Sequence, residues 1–373
     1  MNQTHTGLCA LEISYLWAGY AVDSMSVSIL SGYSRHATNN QVKDLLTTTA
    51  EFGQEQVNRR SRILSGEGMP LPKGFIVEEE VHMSAPRLFS DRFYLTYLSI
   101  ATRLGLLFYS QALGVACRED VRFFSSDSLQ ATERLQNSVL TLMQNRGEYF
   151  RPPILTAPDH PEFIQKTSFL NGFFGDKRPL TGMEISGLYS SMELVLLMEA
   201  ISTGFAQVSS DAKVKEQFVR MKELAAGHKQ AMEKVLEKDN LPAPVSFVAE
   251  VTNSTKALFS ERLMLCHAAG LNGTLIEAYG NALSYTMRND VAALYLKQIA
   301  QVGILAEGMT KTLVDFEWLK NPPEHWSGRA YGGYIFGNCP GKLQVRLIPE
   351  SDCWDRLNSL FYCRIQPHPL TSH

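Results

Sequence analysis

A chain of 373 residues exceeds one ordinary domain, and its 45% hydrophobic content is ample for two cores and excludes a disordered chain. The formal net charge of −3, with no long run of either sign, excludes the basic footprint expected of a nucleic-acid-binding protein. The N-terminus lacks a basic segment followed by an apolar run, so no secretory signal is expected. The longest apolar stretches, residues 104–117 and 194–201, are short or broken by Glu199, so they are expected to be core helices and no integral membrane span is predicted. Six cysteines at irregular spacing, Cys9, Cys117, Cys266, Cys339, Cys353 and Cys363, form no CxxC pair, a pattern that fits a reduced, cytoplasmic protein.

The segment Leu88-Phe89-Ser90-Asp91-Arg92 returns 170 residues later as Leu258-Phe259-Ser260-Glu261-Arg262. Tyr109 meets Tyr279 at the same offset, and Arg118 and Asp120 meet Arg288 and Asp290. Upstream the offset is 172, where Glu12-Ile13 meets Glu184-Ile185 and Pro70 and Pro72 meet Pro242 and Pro244. The chain is a tandem duplication, with units over 1–150 and 181–323.

In chain order, Leu11, Tyr15, Leu16, Ala18, Val22, Met25 and Ile29 recur at helical spacing and predict helix A over about 10–33, with its counterpart over about 183–207. Thr181 and Glu184 have the spacing of a capping box, whereas the first copy has the weaker Cys9 and Glu12. Helix B is predicted over about 40–66, and to about Asp239 in the second copy. Gly68 and Asn240 follow, both suited to the left-handed conformation that ends a helix. Residues 68–89 and 240–259 show no helical pattern. About 20 extended residues reach roughly 60 Å, more than the roughly 37 Å length of a 25-residue helix. A loop of that reach is expected to cross a bundle end to end, the connectivity of a ferritin-like fold. Ser90 and Ser260 are expected to cap helix C, running to about 116 and 286, and helix D to end near 145 and 314. The predicted fold class is all-α, two tandem ferritin-like four-helix bundles, each with a long B–C crossover loop. Residues 151–180, rich in proline and aromatics, are expected to pack as a connector. The tail, 324–373, has no counterpart in the first copy and is expected to be a poorly ordered appendage or the product of an altered reading frame. Its Cys339, Cys353, Cys363 and His368 match no zinc spacing.

Several of these stretches together resemble a family. They are Glu12-Ile13 with Leu16-Trp17, Pro70-Leu71-Pro72, residues 85–91, Arg151-Pro152-Pro153, residues 168–175 and Arg178-Pro179-Leu180. The combination resembles the duplicated ferritin-like domain family DUF3231 of spore-forming bacteria. The resemblance implies spore-coat association, other coat proteins or self-association as partners, and incorporation into the spore; it implies no catalytic residues.

A ferritin-like fold makes a di-iron carboxylate centre the sharp alternative, and that centre needs Glu-x-x-His pairs facing inward. No predicted helix carries one. Counting residues from helix ends places Glu199 and Glu307 near one level and His228 and Glu277 near another. Glu199 and Glu277 align with Val27 and Leu107, so both are expected to face the core, where a carboxylate needs a partner. His228 with Glu277 is either such a pair or a small mononuclear site. In the first copy Asp23, Glu51, Arg103 and Glu133 fall near one level, as a carboxylate metal site or an ion cluster. The metal candidates are thus Asp23, Glu51, Glu133, Glu199, His228 and Glu277, for iron, manganese or zinc. No phosphate loop, dinucleotide fingerprint, GxSxG elbow or HExxH is present. The expectation is a non-enzymatic structural or interaction protein with no cofactor. The alternatives are a ferritin-like metal-binding protein or degenerate di-iron oxidoreductase, and a small-molecule binder between helices.

Overall fold

In the computed structural model the long helices start where the capping residues stand. The structure describes residues 7–157, 159–160, 163–173 and 177–323. The first copy contains α1 (Ala10–His36), α2 (Asn40–Gly66), the single turn α3 (Val77–Glu80), α4 (Asp91–Val115) and α5 (Glu119–Asn145). The second contains α6 (Gly182–Val208), α7 (Ala212–Lys238), α8 (Glu261–Ser284) and α9 (Asn289–Asp315). Among the described residues the fold is all-α, with isolated bridges and no named strand. Expectations for the tail, 324–373, and for Phe174 and Gly175 lie outside the described residues.

Ser90 and Ser260 accept from the amides of Phe93 and Leu263, which fixes the starts of α4 and α8. Gly68 and Asn240 both take positive φ, 69° and 55°, and end α2 and α7. The weak first cap is reinforced from elsewhere. Glu12 accepts from the amide of Cys9 and, through its other oxygen, from the amides of Cys117 and Arg118 at the turn before α5. Glu184 does the same in the second copy, accepting from Thr181, Met287 and Arg288. Burial works to raise the Glu184 carboxyl, but the Arg178 guanidinium and these amides outweigh it and hold it near 2.

Helices pair as α1 with α2, α4 with α5, α6 with α7 and α8 with α9. The two copies do not keep separate cores. One continuous apolar cluster runs from Ile29 and Tyr33 through Phe89 and Tyr97 to Phe205, Phe259 and Met309, and residues up to Pro323 form one compact unit. A small second cluster, Leu16, Leu64, Val121 and Phe124, closes the far end of the first copy.

The crossover segments are less irregular than the sequence implies. Each contains one short helical turn, α3 in the first and residues 248–250 in the second. The connector is also less packed than its composition suggests: Ile154 is exposed and Phe163 is 95% exposed. Pro152 and Pro153 favour extended backbone there, which leaves few side chains able to turn back onto a helix. The connector docks instead through backbone and charge: Gly172 lies against Asp290 of α9, Lys177 reaches the same carboxylate, and Arg178 pairs with Glu184 of α6. Phe150 stacks on Tyr189, and Arg178 lies 4.1 Å over the Phe169 ring. α4 and α6 are both long and apolar enough to cross a membrane by length and composition alone; α6 is largely enclosed by the other helices.

Candidate functional site

The repeated Leu-Phe-Ser-Asp/Glu-Arg segment is where the copies join, and each of its residues has an assignable contact. The Leu88 carbonyl accepts from Thr252 N, and the Leu258 carbonyl from His82 N, both at 2.9 Å. Ser90 and Ser260 donate through their hydroxyls to Glu250 and Glu80 of the opposite copy. Arg262 Nε reaches Glu80 at 2.9 Å, and Arg92 reaches Glu250 at 3.4 Å. Asp91 instead turns to its own copy, accepting from the amides of Thr38 and Asn39 between α1 and α2. Glu261 accepts from Ser210 and Asp211 at the equivalent turn.

The phenylalanines of the motif cross over. A methyl group built on Gly32 would lie 2.5 Å from the Phe259 ring, and one built on Gly204 would lie 2.8 Å from the Phe89 ring. Gly32 and Gly204 are equivalent positions, so each copy keeps a bare backbone notch for the other copy's ring. Tyr33 and Phe205, also equivalent, each pack edge-on against both phenylalanines. Tyr97 and His267 are equivalent too, and they hydrogen-bond to each other at 3.0 Å. Such pairing of like positions is the signature of an isologous, two-fold contact, here within one chain.

The expected metal ligands are placed differently from the sequence expectation. Glu199 is buried but held by Lys229 Nζ at 2.7 and 2.9 Å and by Ser246. His228 is buried with both ring nitrogens used, Nδ1 on Tyr279 at 2.9 Å and Nε2 on Gln301 at 3.1 Å. The expected His228–Glu277 pair does not form. Glu277 is exposed and accepts from Gln111 of the first copy at 2.9 Å. The expected level of Asp23, Glu51, Arg103 and Glu133 also comes apart. Arg103 pairs with Glu193, Glu51 is exposed, and Glu133 is exposed beside Asn137. Glu307 is exposed and pairs with Lys311 one turn on. Counting from helix ends gives a height along the bundle but not a direction around each helix.

Asp23, half-buried, has the partner that a desolvated carboxylate needs: Arg60 Nε stands 3.0 Å from it. Arg60 is 1% exposed and lies over the rings of Phe108, Tyr109 and Phe124. Loss of hydration pushes the Asp23 carboxyl up to about 6, against the pull of Arg60. The sequence reading missed Arg60, although its equivalent, Met232, marks the position as core.

A di-metal centre does not fit these donors. Glu199 is neutralised by an ammonium and His228 is satisfied by neutral partners. Among the described residues, no group of three metal-type donors within 4.8 Å of one another includes any of the six. The trio that does gather, Cys9, Glu12 and Cys117, is the α1 cap, with the Glu12 oxygens already accepting three amides.

The buried histidines set a pH dependence. Burial pulls His228 and His267 down to about 4, from a usual value near 6.5, so both are neutral in the fold. Below pH 6.5 the unfolded chain takes up these protons and the folded chain does not. Stability is therefore full above pH 6.5 and is expected to fall toward pH 4, by up to about 2 kcal/mol per histidine at pH 5. Urea midpoints at pH 7.5 and 5 measure the loss. His228→Gln, which installs the first copy's equivalent residue, Gln56, is expected to shrink it.

A solved structure from Bacillus halodurans C-125, named a "putative spore coat protein", is similar at 20% sequence identity and a TM-score of 0.37, covering 41% of this chain and 98% of that one. Among curated proteins none matches the chain. The model of the family described as "Protein of unknown function (DUF3231)" matches residues 1–160 and again 168–329, one match to each repeat, and the chain belongs to that family.

Proposed function

We propose that the chain is a non-enzymatic structural or interaction protein of the spore coat, built from two ferritin-like four-helix bundles. The reciprocal join carries this reading. The most repeated motif in the chain is used to fasten the copies together, Ser90 to Glu250 and Ser260 to Glu80, and holds no reactive group in the open. Two helical hairpins joined by one long crossover in each copy support the ferritin-like assignment. The spore setting follows from the family that the motifs resemble, and the partners are other coat proteins or further copies of the chain.

A fluorescent fusion expressed in a sporulating bacillus is expected to collect on the developing spore and stay with purified spores. Uniform signal in the mother cell, with none on spores, would sink the coat assignment. The oxidoreductase alternative is tested separately by mass spectrometry of protein grown with iron, manganese and zinc. Well below one ion per chain is expected, with the unfolding midpoint unmoved by chelator.

A further inference from the structure

At four core positions the second copy carries a large apolar residue and the first a small one. Met198, Met221, Leu271 and Leu275 are buried in the second copy, and their equivalents in the first are Ser26, Thr49, Ala101 and Gly105. All four small residues line one cavity of about 280 Å³. Around it α1 touches α4 at few points, whereas α6 and α8 lie together along much of their length. The cavity therefore opens where these small residues of the first copy meet Leu197, His267 and Leu271 of the second. Val22 and Leu107 in its lining are exposed, so the cavity opens to solvent and a molecule can enter it. Its size is close to the lower bound of about 300 Å³ for ligand pockets.

We propose that this cavity binds a small, largely apolar organic molecule whose single hydroxyl head donates to the Asp23 carboxylate. The wall is mainly aliphatic and aromatic, which fits an apolar body. Asp23 lines the cavity and keeps 16% of its side chain exposed, while its partner Arg60 is sealed at 1%. The carboxylate is therefore the reachable half of the pair. Arg60 Nε takes one oxygen, Oδ2, and an ionised carboxylate has roughly four acceptor positions. The pair is already neutral as a whole. A charged head would lose its hydration without a counter-charge to replace it, whereas a neutral donor loses little. At another part of the lining, Gln111 of the first copy and Glu277 of the second are joined by a hydrogen bond, so both copies shape the site.

The test uses the full chain with 2-naphthol as the probe, naphthalene as its headless counterpart, and calorimetry with fluorescence as readouts. Saturable binding of one 2-naphthol per chain is expected, with naphthalene weaker by about ten- to hundredfold, the worth of one hydrogen bond to a charged acceptor. Ser26→Met/Thr49→Met installs the second copy's residues and is expected to abolish binding while leaving the melting temperature equal or higher. Asp23→Val/Arg60→Met removes the carboxylate together with its partner, and is expected to level the two probes without closing the cavity. Absence of saturable binding at millimolar probe, or unchanged binding in Ser26→Met/Thr49→Met, overturns the site. Equal affinity for the two probes in the natural sequence overturns the role of Asp23.

Discussion

Arg60→Met alone is expected to destabilise the protein by about 3–5 kcal/mol, and Asp23→Val/Arg60→Met to recover that loss and gain up to about 1–4 kcal/mol over the natural chain. The first variant leaves the half-buried Asp23 carboxylate without its guanidinium, 3.0 Å away in the natural chain. The second replaces an ion pair by the residues that the second copy already uses, Val195 and Met232, both fully buried. Two charges taken out of water regain little from each other unless their geometry is ideal, and here a single Nε contact joins them. Gly19 belongs to the same unit, since a methyl group on it would sit 2.2 Å from Arg60 Nη1. Gly19→Ala is therefore expected to be costly in the natural chain and mild beside Arg60→Met, a coupling that urea unfolding of the four variants measures. If the double variant is no more stable than Arg60→Met, the carboxylate is not buried in the way described.

Phe259→Ala is expected to cost about 3–5 kcal/mol and to lower the stability of both copies together. The ring is buried against Gly32 and Tyr33 of the first copy and Phe205 of its own. Because one apolar cluster spans both copies, thermal unfolding is expected as a single transition that shifts as a whole. Gly32→Ala intrudes on the same ring and is expected to cost about 1–3 kcal/mol. Combined with Phe259→Ala its cost is expected to shrink, since the added methyl then enters the space that the ring has left. Calorimetry that resolved two transitions, with only one moved by Phe259→Ala, would contradict the shared core.

The helices were legible because their ends are written locally. Ser90, Ser260, Thr181, Gly68 and Asn240 each act within a few residues of where they stand, and they mark the observed ends to within about two residues. The repeat was legible too, and with it the importance of the Leu-Phe-Ser-Asp/Glu-Arg segment. Its purpose was not. The contacts of Phe89 and Ser90 lie on residues 204 and 250, and no local pattern reports a partner so far along the chain. The acids failed for a geometric reason. Glu277 sits at a core-like position in the alignment, yet Leu107, its equivalent, is itself exposed, so the alignment transmitted an exposed position as a buried one. Arg60 against Met232, and Ser26, Thr49 and Gly105 against Met198, Met221 and Leu275, could have been read from the aligned copies alone. A charge or a small residue facing a large apolar equivalent is the signal for an ion pair or a cavity.

The crossed loops also impose an order of events on synthesis. When the first copy has emerged from the ribosome, Phe89, Tyr33 and Tyr97 have no counterpart to cover them, and Ser90 waits for Glu250. More than a hundred further residues must be made before those surfaces close. During that interval two nascent chains can offer each other the missing half as readily as each can later offer it to itself, so fast translation of crowded messages favours exchanged dimers. A pause before the second copy would lengthen that exposure, and a helper that shields aromatic surface would shorten its consequences.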